Sequence, residues 1–261
     1  MNDTNDAGNP KRAARDRLAV ERQRLRTRHR RRRALVTGTA VIGVLGLAAV
    51  AGVLAANADG SRNDSEGPVV APAGATGKDR LAIPVGRPDA PSTLTVWEDF
   101  RCPACQQFER QYRPVLQELT EQGRIRVEYR LVTLIDDNMG GSGSRRAANA
   151  AACAQQSGTF SRYHDVLYDH QPEETKDEYA DNATLIRLAR KVPGLVTDAF
   201  ENCVRGGTYD NWVVKSNQLF RDRKLSGTPT VLLNGDNLLD DPGHPLTPDR
   251  LRSLVEQADA A

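Results

Sequence analysis

The pattern of apolar residues predicts a strand followed directly by a helix near the start of the folded part of the chain. Apolar and polar side chains divide between two faces over residues 94–100, which is the period of a β-strand. After it, large apolar residues recur at helical spacing, at Phe108, Tyr112, Val115, Leu116 and Leu119. The patterns predict a strand over 94–100 and a helix from Cys102 to about Glu121, which Pro114 is expected to kink.

The remaining pattern contains one long block of helical periods between two strand regions. In chain order it predicts a strand over 124–131, helices over roughly 144–156, 158–169, 182–191, 197–205 and 209–223, a hairpin that turns at Asn234-Gly235, and a last helix from Pro248. This order fits an α/β fold with a mixed central sheet flanked by helices and a helical insertion over about 142–224.

Charge separates the N-terminal part of the chain from the rest. Residues 1–33 hold twelve Lys and Arg against four Asp and Glu, whereas the net charge of the whole chain is only +2. Residues 34–56 contain no charged side chain, and a helix of that length exceeds the roughly 30 Å apolar layer of a bilayer. We therefore predict a basic cytoplasmic tail over 1–33 and a transmembrane helix over 34–56.

The predicted span decides where the rest of the chain is expected. Because basic residues before an apolar span stay in the cytoplasm, the domain after it is expected to be extracytoplasmic. Residues 57–78 are rich in Gly, Pro, Ala, Asp and Ser, which is typical of a flexible linker, and a folded domain follows over 79–261. A permanent signal-anchor is the first interpretation. A signal peptide cleaved near the small residues at 56–58 is the alternative.

The basic tail also raises the question of a nucleic-acid partner. A solvated or lipid-facing flank explains its arginines better, because they directly precede the predicted span. We therefore expect contact with the lipid bilayer through residues 34–56 and no nucleic acid.

All four cysteines lie beyond the predicted span. Cys102 and Cys105 form a CxxC pair at the strand-to-helix junction, where unpaired N–H groups and the helix dipole favour a thiolate. Cys102 is expected to be the attacking sulfur, and Cys105, one turn inside, the resolving thiol. A redox-active dithiol is the leading interpretation. An inert structural disulfide and a zinc site are alternatives, although zinc lacks a second ligand pair at short spacing.

The other two cysteines, Cys153 and Cys203, fall on different predicted helices. An even cysteine count in an exported domain favours disulfides, so we predict a structural disulfide that closes a loop of about 50 residues. A second redox relay and two free buried thiols are the alternatives.

We expect no metal site and no cofactor from the remaining polar residues. His164, His170 and His244 are scattered, with no nucleophile near them in sequence, and are expected to be solvated. The pairs Asp136-Asp137 and Glu173-Glu174 are likewise expected to be solvated loop carboxylates.

Two stretches and the helical insertion between them carry a resemblance to a known family. The first is Trp97-Glu98-Asp99-Phe100-Arg101-Cys102-Pro103-Ala104-Cys105, and the second is Gly227-Thr228-Pro229-Thr230 before the predicted hairpin. Over about residues 80–259 the chain resembles the DsbA-like thiol-disulfide oxidoreductases of the thioredoxin-fold superfamily.

The resemblance implies a substrate-binding role for the loop before the hairpin. It implies that Pro229 is cis and packs against the active-site sulfurs, and that the Thr228 backbone binds an extended substrate peptide. Pro103 and Ala104, between the two cysteines, are expected to contact substrate as well. An ordinary trans proline at a strand edge is the alternative for Pro229.

The chain departs from the family pattern at two places. Many members carry a buried acid six residues before the first cysteine, where this chain has Val96. Glu98, on the same face of the strand, is a candidate for that proton relay, or else a plain surface carboxylate. The dipeptide Pro103-Ala104 also lacks the histidine of strongly oxidising members, so the resemblance does not fix the reduction potential of the cysteine pair.

The function that this resemblance implies is an oxidase that forms disulfides in exported proteins, with protein thiols as substrates. It also implies a quinone-linked membrane protein, DsbB-like or vitamin K epoxide reductase-like, that reoxidises Cys102 and Cys105. A reductase or isomerase with the same active site, and a non-catalytic thioredoxin-like binding module, are the alternatives.

Overall fold

The computed structural model describes residues 68–240 and 243–259. The predicted basic tail (1–33), the predicted transmembrane helix (34–56) and residues 57–67 of the predicted linker lie outside the described residues. Among the residues that are described, no helix has both the length and the apolar composition that crossing a bilayer requires.

Within the described residues, five strands form one mixed sheet. They are β1 (Ile83–Val85), β2 (Ser92–Glu98), β3 (Ile125–Leu131), β4 (Thr230–Leu233) and β5 (Asp236–Asn237), in the spatial order β1-β3-β2-β4-β5. Strand β2 pairs in parallel with β3 and antiparallel with β4, while β1 and β5 are antiparallel to their neighbours. Because β2 is the central strand, the residues that follow it emerge from the middle of the sheet.

Helix α1 (Pro103–Glu121) follows β2 after a short connection. Pro103 suits its first position, because an N–H group there would have no partner within the helix. One face of α1 is buried and contacts β3, as the helical spacing of Phe108, Tyr112, Val115 and Leu119 predicts. The helix continues through Pro114.

The chain between β3 and β4 is helical. It contains α2 (Leu134–Met139), α3 (Gly143–Gln155), α4 (Phe160–Asp169), a 3₁₀ turn (Glu178–Ala180), α5 (Asn182–Ala189), α6 (Asp198–Gly206) and α7 (Asp210–Asp222). Helix α3 contacts α4, α6 and α7, and its alanines from Ala147 to Ala154 are at most 1% exposed. These small side chains let the neighbouring helices approach closely around α3. The last helix, α8 (Pro248–Asp259), packs on α1.

The mixed sheet and the helical block agree with the fold class predicted from the sequence, and the differences are local. Strand β2 ends at Glu98, two residues earlier than predicted. The reason lies in the Asp99 carboxylate, which accepts hydrogen bonds from the backbone N–H groups of Arg101 and Ile135, each at 2.8 Å. These bonds turn the chain out of the strand before the helix begins. The short elements β1 and α2 were not predicted.

Candidate active site

Cys102 and Cys105 lie at the start of α1, where the chain leaves the central strand. Cys102 is the N-cap residue, with an extended backbone at ψ 118°. Both cysteines are free thiols, and Cys102 is 7% exposed whereas Cys105 is fully buried. Pro103 and Ala104, between them, are exposed. Cys102 therefore keeps a small exposed area, whereas Cys105 has none.

Hydrogen bonds stabilise the Cys102 thiolate. The largest contribution is a hydrogen bond from the Cys105 thiol, and an interaction with Thr228 and the backbone N–H groups of Cys105 and Ala104 add to it. Together they lower the pKa of Cys102 to about 6, although burial acts in the opposite direction. Cys102 is therefore mostly ionised at neutral pH, which is the reactive form of a cysteine.

The pKa of Cys105 is shifted in the opposite direction from that of Cys102. Burial raises the pKa of Cys105 well above its ordinary value, and its interactions with Cys102 and the charge of Glu98 add to this effect. Two sulfurs three residues apart thus differ in ionisation because one lies at the helix end and the other beneath it. An attacking and a resolving sulfur need this asymmetry.

The loop before β4 brings Thr228 and Pro229 to the first sulfur. The Thr228–Pro229 peptide bond is cis, and Cys102 Sγ lies 3.3 Å from the Thr228 carbonyl oxygen, which accepts a hydrogen bond from the thiol when Cys102 is protonated. The sheet register explains this proximity, since Thr230 at the start of β4 lies opposite Trp97 near the end of β2. The sequence implied the cis bond through the family resemblance alone.

Glu98, Glu109 and His164 form a buried cluster, which we call the Glu-His-Glu cluster. Each residue is 1% exposed, and Glu98 Oε1 lies 2.8 Å from His164 Nε2. The prediction that His164 is solvated is wrong. Helix α4 packs against α1, and the imidazole lies among aromatic rings that include Tyr129 and Phe160. Glu98 is accordingly not a surface carboxylate.

Burial also changes the ionisation of the Glu-His-Glu cluster. It raises the pKa of Glu109, because an isolated charge is unfavourable there. Burial opposes a charged imidazole at His164, but the carboxylates of Glu98 and Glu109 outweigh it and raise the pKa of His164. One ligand atom from each residue lies within 4.8 Å of the others, which is a spacing that suits a metal ion.

Arg101, directly before Cys102, ties the active site to the helical block. Its Nη1 lies 2.7 Å from Asp136 and 3.1 Å from Asp177, and its guanidinium is almost fully buried. Asp136 also accepts hydrogen bonds from the backbone N–H groups of Ser144 and Arg145 at the start of α3. The prediction that Asp136 is a solvated loop carboxylate is therefore wrong.

Gln171 is a second connection that the sequence did not reveal. Its side-chain amide donates to the carbonyl oxygens of Phe100, at 2.8 Å, and of Cys102, at 3.0 Å. Gln171 follows α4 in a stretch without periodic pattern, so no local signal marks it. It fixes the backbone on which the first cysteine sits.

Cys153 on α3 and Cys203 on α6 are joined by a disulfide, with their Cα atoms 6.0 Å apart. The bond connects two helices of the block, and Cys153 is 3% exposed. Cys203 is half-buried, so the disulfide joins the interior of the block at α3 to a more exposed position on α6.

Comparison with known proteins decides the family. A sequence profile described as thioredoxin matches residues 78–257, which is more than half of the chain. The chain belongs to the thioredoxin family.

Several relatives of this thioredoxin-family chain have names that refer to disulfide bond formation. The disulfide bond formation protein D of Bacillus subtilis is 25% identical over 153 residues, which cover 58% of this chain and 66% of that protein. Reduced DsbA from Mycobacterium tuberculosis is 28% identical with a TM-score of 0.59, over 69% of this chain and 93% of that chain. Oxidised BdbD from Bacillus subtilis has the same TM-score, 0.59, over 74% and 100% of the chains, and at 19% identity it supports the fold alone.

The family match and these relatives agree with the chemistry of the CxxC pair. The protein is a thiol-disulfide oxidoreductase of the DsbA type. The resemblance predicted from its sequence is confirmed at that level.

Proposed function

We propose that this enzyme is an extracytoplasmic oxidase that forms disulfides in exported proteins by exchange through Cys102 and Cys105. The opposite ionisation of the two sulfurs carries this proposal. Hydrogen bonds lower the pKa of Cys102 to about 6, so the reduced enzyme is stabilised. A dithiol whose reduced form is stabilised tends to pass its disulfide to other thiols.

The reaction begins with the oxidised enzyme, in which Cys102 and Cys105 are bonded. A substrate thiolate attacks Sγ of Cys102, the bond between the two cysteines breaks, and a mixed disulfide forms. Cys105 leaves as a thiolate and takes up a proton, because burial disfavours its charge. A second substrate thiolate then attacks the substrate sulfur of the mixed disulfide. Cys102 leaves as a stabilised thiolate, and two electrons have passed from substrate to enzyme.

The loop at Thr228 and Pro229 is the proposed peptide-binding edge. The Thr228 carbonyl lies 3.3 Å from Cys102 Sγ, so a peptide bound along this loop would bring its own sulfur to the reactive one. Pro103 and Ala104 are exposed beside Cys102 and extend this surface. Their side chains are small and apolar, which suits contact with many substrates rather than one.

The proton-relay role of Glu98 stays a prediction. Its charge acts on Cys105, as such a role needs. Its Oε1, however, is already bound to His164 at 2.8 Å, so proton transfer would compete with that pair.

Membrane anchoring and reoxidation are parts of the same proposal. The uncharged stretch over 34–56 supports an anchor with the catalytic domain outside. The Cys153–Cys203 disulfide fits an oxidising compartment. A quinone-linked membrane protein, DsbB-like or vitamin K epoxide reductase-like, would accept the two electrons from reduced Cys102 and Cys105.

The proposal is tested with a reduced, unfolded secreted protein as substrate. Oxidised wild type should form its disulfides, and Cys102→Ser should lose this activity because the attacked sulfur is absent. Gln107→Ser is the matched control, since Gln107 is exposed on α1 close to the pair. Equal activity of Cys102→Ser and wild type would exclude thiol exchange through Cys102, and no activity in either protein would favour the non-catalytic binding module.

The direction of exchange is tested by the equilibrium of the 102–105 couple with glutathione. An oxidase requires a potential less negative than about −200 mV, whereas a value near −270 mV is typical of a reductase. A result in the second range would favour the alternative assignment without changing the residues involved.

A further inference from the structure

The Glu-His-Glu cluster is assembled from three separate elements. Glu98 is the last residue of β2, Glu109 lies in the second turn of α1, and His164 lies in the middle of α4. The three residues are at most 1% exposed, and one ligand atom from each lies within 4.8 Å of the others. Nothing in the exchange of electrons between Cys102 and Cys105 requires a histidine and two carboxylates at this place.

Two oxygens of the cluster have no hydrogen-bond partner among the described residues. They are Glu98 Oε2 and Glu109 Oε1, and both are inaccessible to solvent. A buried carboxylate oxygen without a partner is unfavourable, and such groups usually have a partner in native proteins. Because the two oxygens belong to neighbouring carboxylates, one bound cation would satisfy both.

We propose that Glu98, Glu109 and His164 bind one divalent transition-metal ion, with Zn²⁺ as the representative ion. Two carboxylate oxygens and one imidazole nitrogen are a ligand set that Zn²⁺ and related ions accept. With His164 neutral, two carboxylates carry two negative charges, and a divalent ion makes the buried group neutral. Neutrality matters because an uncompensated charge is strongly unfavourable in an interior.

The surroundings of His164 fit a metal ligand. Its Nδ1 lies 3.5 Å from Asp165 Oδ1, on the side away from Glu98. A carboxylate at the far nitrogen favours the proton on Nδ1, so an ion at Nε2 would replace the proton that Nε2 shares with Glu98 Oε1 at 2.8 Å. A carboxylate beside the far nitrogen is a common arrangement at metal-binding histidines. The rings of Tyr129, Phe160 and Tyr168 contact the imidazole and hold its plane.

A cavity borders the cluster at His164, although neither Glu98 nor Glu109 lines it. It has a volume of about 180 Å³, and its lining includes His164, Asp165, Arg113 and Tyr129. Arg113 does not add a free positive charge there, because it lies 3.0 Å from Asp165 and 2.9 Å from Asp169. A metal site needs an entry path as well as its ligands, and we place that path on the imidazole side, where the cavity lies.

This site is distinct from the zinc site considered at the CxxC pair. Its ligands include no sulfur, so it should bind the ion while Cys102 and Cys105 are joined in a disulfide. The competing occupant of the Glu-His-Glu cluster is a proton, shared between the imidazole and the two carboxylates. An ion-binding experiment separates the two occupants.

The experiment uses the full chain without an affinity tag, oxidised so that Cys102 and Cys105 cannot bind metal. Equilibrium dialysis against Zn²⁺ measures stoichiometry, and Co²⁺ absorption reports the ligand geometry. We expect one ion per chain in the wild type. Glu109→Gln and His164→Gln should each weaken binding by about 100-fold or more, since loss of even an outer partner costs about 10- to 100-fold.

Two exposed residues on the same helices provide matched controls. Glu121→Gln on α1 and His170→Gln at the end of α4 should bind the ion as the wild type does. Circular dichroism checks that each variant is folded. If His164→Gln does not fold, Glu109→Gln and the wild-type stoichiometry still decide the outcome.

Two results would overturn the proposal. Wild type that binds no Zn²⁺ or Co²⁺ would mean that the cluster holds a proton. Unchanged binding in folded Glu109→Gln would mean that the ion binds elsewhere. Neither result would affect the proposed oxidase function, because the assay with Cys102→Ser does not depend on metal.

Discussion

The two cysteine pairs of this protein have the same chemistry and opposite environments. Cys102 and Cys105 are free thiols three residues apart at the start of one helix, and hydrogen bonds favour the thiolate of the first. Cys153 and Cys203 are bonded across two helices, 50 residues apart in sequence. The first pair lies where backbone N–H groups lack partners, and the second lies within packed helices. Position within the fold, and not the cysteine itself, separates a reactive pair from a structural one.

The comparison also explains what each pair does for the molecule. The disulfide restrains the helical block that covers the active site, whereas the free pair depends on that block for its backbone geometry. This dependence arises from Arg101 and Gln171, because both connect the residues around Cys102 to the helical block. The following predictions test how independent the two pairs are, beginning with the largest expected effect.

Removing the structural disulfide should have the largest effect. The double variant Cys153→Ala/Cys203→Ala opens a loop with a sequence separation of 50, which costs about 4 kcal/mol in the chain-entropy estimate. We expect a lower urea midpoint with an unchanged pH midpoint of Cys102 alkylation. Cys102→Ala/Cys105→Ala, compared with reduced wild type, is the control that removes two sulfurs without opening a loop. A folded disulfide variant whose Cys102 has lost its reactivity would show that the pairs are coupled.

The two thiols of the CxxC pair should differ in reactivity by more than about 100-fold at pH 7, because thiolate content controls alkylation. Iodoacetamide, followed by mass spectrometry, should modify Cys102 with a midpoint at a pH of about 6 and leave Cys105 unmodified. Cys105→Ala should raise that midpoint, since the Cys105 thiol is the largest source of the shift. A Cys102 midpoint above pH 8 in wild type would contradict the hydrogen-bonded thiolate.

The low pKa of Cys102 should also make the stability of the reduced enzyme depend on pH. Folding lowers the pKa of Cys102 from 9.0 to about 6, so the thiolate contributes its full stabilisation above pH 9. This contribution should be lost as the pH falls through 6. Urea unfolding of reduced and oxidised protein in parallel isolates the effect, because only the reduced form has this thiol. A difference between the two forms that stays constant from pH 9 to 6 would contradict the prediction.

Gln171→Ala should have the smallest effect of the four. The variant loses two hydrogen bonds, to the carbonyl oxygens of Phe100 and Cys102, and should destabilise the fold by about 1–2 kcal/mol. Gln106→Ala is the matched control, since its amide binds the Tyr168 carbonyl and not the backbone of Cys102. Both variants should lose stability, but only Gln171→Ala should change the alkylation midpoint of Cys102. Identical alkylation midpoints of Cys102 in the two variants would mean that Gln171 contributes to stability but does not affect the Cys102 thiolate.

Local sequence signals were sufficient for the parts of this molecule that are built locally. The CxxC junction, α1 and the Asn234-Gly235 turn each depend on residues within a few positions of one another, so periodicity and turn chemistry identified them. The family resemblance supplied the cis bond before Pro229, because nothing in the residues around it requires that isomer.

Contacts between distant parts of the chain could not be predicted in the same way. Glu98 and His164 are 66 positions apart, and Gln171 is 69 positions from Cys102. A buried histidine and a solvated one look the same in a single sequence, because the difference arises when α4 packs on α1. The same holds for Asp136, whose partner Arg101 is 35 positions away.

The Cys153–Cys203 bond has a consequence for the maturation of the enzyme. The enzyme contains a disulfide outside its active site. Cys153 and Cys203 of every new chain must therefore be oxidised before α3 and α6 are covalently joined. Under the proposed oxidase function, a finished copy of the same protein could supply that bond to a new chain.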